Sequence, residues 1–386
     1  MPAVERRAIP IASLRWGGAS RRLACTLILL TAVPAQAEPA VRILDLPFKT
    51  REIRGPRSEA AVSVATSGLL PIARARPERD GKAAGDEEQA PIAVVWGEDG
   101  GAVLSLEGGS VAVKPVGREA IEGLTAAETP RGALPGSRRA LAGPLSAYLT
   151  GRTRAPDGGP AAAVLTIRER QPMAVSADPK PVPVTTVTVS AGDDAVFAPY
   201  RPRVTRLAGQ PVFLAATLSG QDTGGLALIA RPGGDAKAGD SRTWAVTART
   251  PPGPPLKIAA LADFAGTGAP QAATVDARGL LRLWTLGPAS LAAAGEAAGY
   301  TLGEGDADLA AVVETGGAPE LALPVMGMPA LAVVAAKGGL RERLRVTLPA
   351  PAATGVAALG EGAALRLVVG LADGRVAVVA PDGGRP

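Results

Sequence analysis

Apolar residues in this chain come in short runs separated by turn-forming residues. The clearest runs lie at residues 92–96, 102–106, 161–167, 185–189, 212–217, 226–230, 280–286, 331–335, 365–369 and 376–380. Their length, roughly 5 to 8 residues, and their Gly, Pro or Asp boundaries are those of strands. No long stretch places its apolar positions at the 3.6-residue helical period. The Ala-rich stretch at 290–298 could form a short helix, but Gly295 interrupts it and Gly299 follows it. The pattern predicts a nearly all-β chain.

In the C-terminal half these runs recur as a unit. Residues 203–230, 258–286, 309–335 and 356–380 each carry an apolar strand, a Gly-centred turn, a second apolar strand, a tight turn and a third strand. The first turns, Gly209-Gln210-Pro211, Gly268-Ala269-Pro270, Gly317-Ala318-Pro319 and Gly362-Ala363-Ala364, are spaced by 59, 49 and 45 residues. Three strands at this period, with a more variable fourth in the spacer, make a propeller blade. One blade cannot cover both of its faces, but blades stacked around an axis cover each other, and closing the ring protects the strand edges. Residues 91–113 and 161–189 have the same rhythm less completely. The charged or Pro/Gly-rich stretches 73–89 and 126–143 read as surface loops.

The first 37 residues follow another pattern. Arg6, Arg7, Arg15, Arg21 and Arg22 precede an apolar run at 23–33, and Ala35-Gln36-Ala37 is a small-residue cleavage site. This order is that of a secretory signal, cleaved after Ala37. The run of about 11 residues is short of the ~20 that span a bilayer. Ser20-Arg21-Arg22-Leu23 leaves both the general and the twin-arginine export routes open. Residues 38–386 then form the mature domain, periplasmic or secreted. At about 50 residues per blade it would hold about seven four-stranded blades.

Cleavage changes the charge argument. The leader holds five of the 41 basic residues and one of the 36 acidic ones, leaving 36 against 35. A nearly neutral chain gives no support for nucleic acid as a partner, and nothing beyond the leader suggests stable membrane insertion. Cys25 is the only cysteine and departs with the leader. Stability therefore has to come from core burial without disulfides.

The segment 258–286 resembles an FG-GAP or VCBS repeat, related to the blades of the integrin α-subunit propeller. That family carries a calcium loop of the form D-x-D-G-D-G-x-x-D. Here the loop is Asp263-Phe264-Ala265-Gly266-Thr267-Gly268-Ala269-Pro270-Gln271, which keeps the first aspartate and both glycines. Ala265, Thr267 and Gln271 stand where the family has carboxylates. Ca²⁺ takes 6 to 8 oxygen ligands, several of them charged, so this loop is expected to have lost calcium. The resemblance covers residues 203–386 and implies a binding propeller with degenerate metal loops.

The chain has no histidine. Histidine-based catalytic triads, histidine general bases and histidine-ligated zinc are excluded, and the mature chain has no thiol chemistry. Carboxylate-pair hydrolysis stays open through Glu98, Asp99, Asp193, Asp194, Glu304, Asp306, Asp308 and Glu361, which sit in turn-like contexts and read as solvated charges. The Gly-rich stretches 97–101 and 303–305 lack the Lys-Ser/Thr of a phosphate loop and read as turns between strands. Trp96, Trp244 and Trp284 read as packing between blades. No catalytic, cofactor or metal residue is assigned. The sequence thus predicts an exported, non-catalytic, monomeric scaffold that binds a protein or glycan partner. A carboxylate-pair carbohydrate enzyme and an outer-membrane assembly factor are the alternatives.

Overall fold

The computed structural model describes residues 39–67, 91–171, 181–232 and 243–382. The chain divides into two units, residues 1–36 and 37–386, and the description below concerns the second. The leader and the stretch 73–89 expected as a loop lie outside the described residues.

The first strand among the described residues is β1 (Ala40–Ile43). Blade 1 follows as β2 (Glu52–Arg54), β3 (Ile92–Trp96), β4 (Gly101–Glu107) and β5 (Ser110–Val116). Blade 2 is β6 (Ala140–Ala142), β7 (Leu145–Arg154), β8 (Pro160–Arg170) and β9 (Val184–Ser190). The two-residue β10 (Val196–Phe197) links it to blade 3 by pairing with β8 on one side and β12 on the other, where blade 3 is β11 (Arg203–Leu207), β12 (Gln210–Gly220), β13 (Thr223–Ala230) and β14 (Ala245–Arg249). Blade 4 is β15 (Leu256–Ala262), β16 (Gln271–Asp276), β17 (Leu280–Gly287) and β18 (Ser290–Ala298). Blade 5 is β19 (Ala311–Val313), β20 (Glu320–Pro324), β21 (Ala330–Ala335) and β22 (Arg341–Thr347). Blade 6 is β23 (Ala352–Leu359), β24 (Arg366–Leu371) and β25 (Val376–Ala380), completed by β1.

This is a β-propeller. The pairing of β1 with β25, from Ala40 opposite Ala380 to Ile43 opposite Ala377, makes the earliest described strand the outer strand of the last blade and closes the ring. All neighbouring strands pair antiparallel, as hairpin-connected blades require. The described residues form six blades rather than about seven. Division by length overcounts because blade 1 is interrupted by helix α1 (Glu59–Thr66) and followed by helix α2 (Arg118–Thr125). Ser58 caps α1 by accepting the Ala61 N–H, and Glu59 sits favourably in its first turn.

The four repeats read from the sequence coincide with the first three strands of blades 3 to 6. Gly209, Gly268 and Gly362 all take positive φ in the first hairpins. The stretch 290–298 is a strand, not a helix: β18 pairs along β17 as the outer edge of blade 4. The stretch 126–143 is not a surface loop throughout. It supplies β6, and Glu128, Leu134, Ser137 and Arg138 within it are buried.

Apolar side chains fill the spaces between blades. One core joins blades 4, 5 and 6, another blades 3 and 4, another blades 2 and 3, and a fourth blades 6 and 1. The β-branched and Leu-rich strands β24 and β25 are buried on both faces, which is why they read as unbroken apolar runs. Trp244 and Trp284 are buried in these cores; Phe213 packs against Trp244, and the Trp284 indole N–H donates to Thr274 at 2.9 Å.

Candidate functional site

The first strands β2, β6, β11, β15, β19 and β23 are the inner strands of the six blades. Just before three of them the chain carries charged residues, and the fold gathers these into one cluster. Arg138 precedes β6, Arg201 and Arg203 lead into β11, and Asp306 and Asp308 precede β19.

Asp308 is the hub. Its Oδ1 accepts from Arg201 Nη2 at 3.1 Å and Arg203 Nη2 at 3.0 Å, and its Oδ2 accepts from Arg138 Nη1 at 2.8 Å. The Asp308 carbonyl accepts the Val356 N–H at 2.7 Å. A single aspartate therefore ties blades 2, 3, 5 and 6 together across the ring. Burial would push its carboxyl up, but Arg201, Arg138 and Arg203 hold it well below the usual carboxylate range.

Asp306 behaves in the opposite way. Its Oδ1 accepts the Arg201 backbone N–H at 3.1 Å, while Oδ2 has no hydrogen-bond partner and lies 3.8 Å from Arg138 Nε. Burial raises its pKa; Arg138 opposes the shift, and the neighbouring Asp308 carboxylate adds to it. The two aspartates, read from the sequence as solvated, are thus largely buried and differ in protonation tendency. The other candidate acids, Glu98, Asp99, Asp193, Asp194, Glu304 and Glu361, are exposed, and of these Glu304 acts on Lys257 together with Asp306.

The arginines divide similarly. Burial alone would lower the Arg138 pKa, but Asp308 and Asp306 more than offset this and raise it. Arg201 is pulled down to about 9 by burial and by Arg203 beside it, with Asp308 opposing, so it stays cationic at neutral pH. On the next blade the Lys257 ammonium lies 5.0 Å from the Tyr200 ring centroid and donates to the carbonyls of Gly303 at 2.5 Å and Gly305 at 3.3 Å. The Gly-rich stretch 303–305 is therefore a connection between blades that wraps an ammonium.

Beside this cluster is a cavity of about 350 Å³ where blades 1, 2, 5 and 6 meet. Trp96, Arg54, Arg138, Asp306, Ala353 and Thr354 contribute to its wall. Arg54 stacks over Trp96, 5.1 Å from the ring centroid, and its Nε donates to Glu128 at 3.1 Å. Trp96, half-buried, is a cavity wall rather than an inter-blade packing residue. A larger open groove of about 600 Å³ on blade 1 is edged by Phe48, Glu98, Asp99, Glu119 and Glu122. Arg118 occupies its rim, donating to Glu122 at 2.7 Å and to the Glu98 carbonyl at 2.6 Å.

The loop that resembles a calcium site uses its aspartate internally. Asp263 accepts the backbone N–H of Thr267 at 2.9 Å and of Gly268 at 2.6 Å. Desolvation would raise its pKa, but the Gly268, Thr267 and Gly266 amides together outweigh it and lower the carboxyl. Among the described residues no three Asp, Glu, His or Cys side chains gather as a metal set, and no helix is long and apolar enough to cross a membrane.

No protein-family profile matches this sequence, and no curated protein sequence does. Similar solved structures include the Cps50 (Swd1) β-propeller domain of Myceliophteria thermophila, at 11% identity and TM-score 0.43, covering 88% of this chain and 99% of that one. A putative 6-phosphogluconolactonase from Bacteroides fragilis is similar at 10% identity and TM-score 0.38, covering 73% and 74%. AofleA from Arthrobotrys oligospora matches at 10% identity and TM-score 0.36, covering 86% and 83%. At these scores the likenesses carry no functional argument, and the propeller assignment rests on the strand pairing described above.

Proposed function

We propose that this chain is an exported, non-catalytic propeller that holds a partner at the mouth of its channel, in the cavity beside the Arg/Asp cluster. One observation carries this reading: a cavity of about 350 Å³ adjoins a cluster whose central carboxylate is fully occupied. Small-ligand sites commonly have ~300–1,000 Å³ and a few fixed polar groups. Hydrolysis by paired carboxylates needs one acid to deliver a proton and a second carboxylate free to meet water or substrate. Asp308 already has both oxygens on three guanidinium groups, which suits a fixed wall better than a reacting group. Export fits the same reading, because β1 begins at Ala40 and cleavage after Ala37 would leave every described strand intact.

Ala353 is exposed and lines the cavity, so Ala353→Trp would fill it without removing a core contact. Mature protein, residues 38–386, immobilised over envelope extract should capture a partner that the Ala353→Trp variant loses. Equal capture by both proteins, or turnover of a glycoside panel by the wild type, would overturn the reading.

A further inference from the structure

Asp308 is shared by three guanidinium groups, those of Arg138, Arg201 and Arg203. Of these, Arg138 also faces Asp306 and Glu128, and Lys257 on the next blade faces Asp306 and Glu304. Arg201 and Arg203 thus share one carboxylate, and a guanidinium held partly out of water is costly unless an anion faces it. The donors show where that partner would sit. Arg201 and Arg203 each commit Nη2 to Asp308 Oδ1, and Arg203 Nη2 also reaches the Ile258 carbonyl at 3.4 Å. Among the described residues, the Nε and Nη1 nitrogens of both arginines have no hydrogen-bond or ion-pair partner. Their side chains are 18% and 19% exposed, sheltered but reachable.

We propose that Arg201 and Arg203 form a binding site for an oxyanion, a carboxylate or phosphoryl group, on the channel side of Asp308. Guanidinium groups present their N–H donors in a planar fork that matches the oxygens of these anions. Asp308 holds both forks from one side, so the unused nitrogens are already directed and little side-chain entropy remains to be lost on binding. The anion takes nitrogens that Asp308 does not use and so does not displace it.

This assignment rests on the reading of the channel mouth as a binding surface, and it names the chemistry recognised there. Calorimetric titration of the mature chain with inorganic phosphate and with succinate, at constant ionic strength in low-chloride buffer, tests it. Saturable binding at one site per chain is expected, weakened at least tenfold in Arg201→Gln and Arg203→Gln and unchanged in Lys114→Gln on blade 1. Binding of phosphate alone would assign a phosphoryl ligand, and of succinate alone a carboxylate. No saturable binding of either, or equal affinity in all variants, would overturn it. If the arginine variants do not fold, wild-type protein gives the answer: phosphate or succinate should protect Arg201 and Arg203 from phenylglyoxal, and unprotected modification of both overturns the site. Partner capture that persists without anion binding would remove this inference alone. Anion binding with equal capture by wild type and Ala353→Trp would remove the cavity reading alone.

Discussion

Blade 6 meets blade 1 through apolar side chains, whereas blade 1 meets blade 2 through charged ones. At the first junction Ile53, Val95 and Leu104 of blade 1 share a core with Ala357, Leu359, Val368 and Val378 of blade 6. The strands come so close there that a Cβ on Gly355 would lie 2.8 Å from the Ile53 Cβ. At the second junction the described residues share no apolar cluster. Instead α1 and α2 cover blade 1 with Ala61, Val64 and Ile121, and the span to blade 2 is made by Arg54 with Glu128 and by Arg139 with Glu59. Apolar burial is non-directional and can seal a ring anywhere. Buried ion pairs hold a geometry and are poor sources of net stability. The cavity with Trp96 in its wall lies on the charged side.

The largest expected effect separates holding a geometry from holding the fold together. Arg54→Met would leave Glu128, 6% exposed, without its ion-pair partner and should cost about 3–5 kcal/mol in denaturant unfolding. Adding Glu128→Leu to the same chain should restore most of that loss. If the double variant stays as unstable as the single one, the ion pair is a source of stability after all, and the contrast between the junctions fails. On the apolar side, Gly355→Ala drives a methyl into Ile53 from a backbone at φ 152°, at an expected cost of about 1–3 kcal/mol. An unchanged melting temperature would show that β2 and β23 can separate freely.

The smallest effect is in acid. The raised pKa of Asp306 means that the folded chain binds its proton more readily than the unfolded one, so stability should rise as pH falls toward the ordinary carboxylate value of about 3.9. The depressed Asp308 acts in reverse. Its stabilisation is present above that value and is lost as pH falls through the lower folded pKa. Melting temperature against pH should therefore pass through a shallow maximum on the acid side. Asp306→Asn should remove the rise and keep the fall.

Blades 3 to 6 were legible in the sequence because each begins with an apolar strand and a Gly turn, at Gly209, Gly268, Gly316 and Gly362. Blade 2 was not, because its inner strand β6 is only three residues long and follows Ser137-Arg138-Arg139 in a Pro/Gly-rich stretch. Pattern alone cannot tell such a segment from a loop when its burial comes from elsewhere in the fold. The same holds for Asp306 and Asp308. Locally they sit in a Gly-Glu-Gly-Asp-Ala-Asp turn, and their partners Arg138, Arg201 and Arg203 are more than 100 residues away in sequence. Charges before inner strands were the available signal, visible once the strands were ordered around an axis. Trp96 ends β3 beside a turn, at the point where a strand residue leaves the core.

The pairing of β1 with β25 has a consequence in time. The first described strand must wait for nearly all of the chain that follows it before its partner exists, and the loop between them is the longest closed by any strand pair among the described residues. Loop-closure entropy grows only slowly with length, but contacts this distant in sequence delay folding. Until they form, β25 presents an open edge able to accept a strand from another copy. A chain shortened at its first strand should therefore still build its inner blades, yet remain prone to exchange and aggregation at the last one.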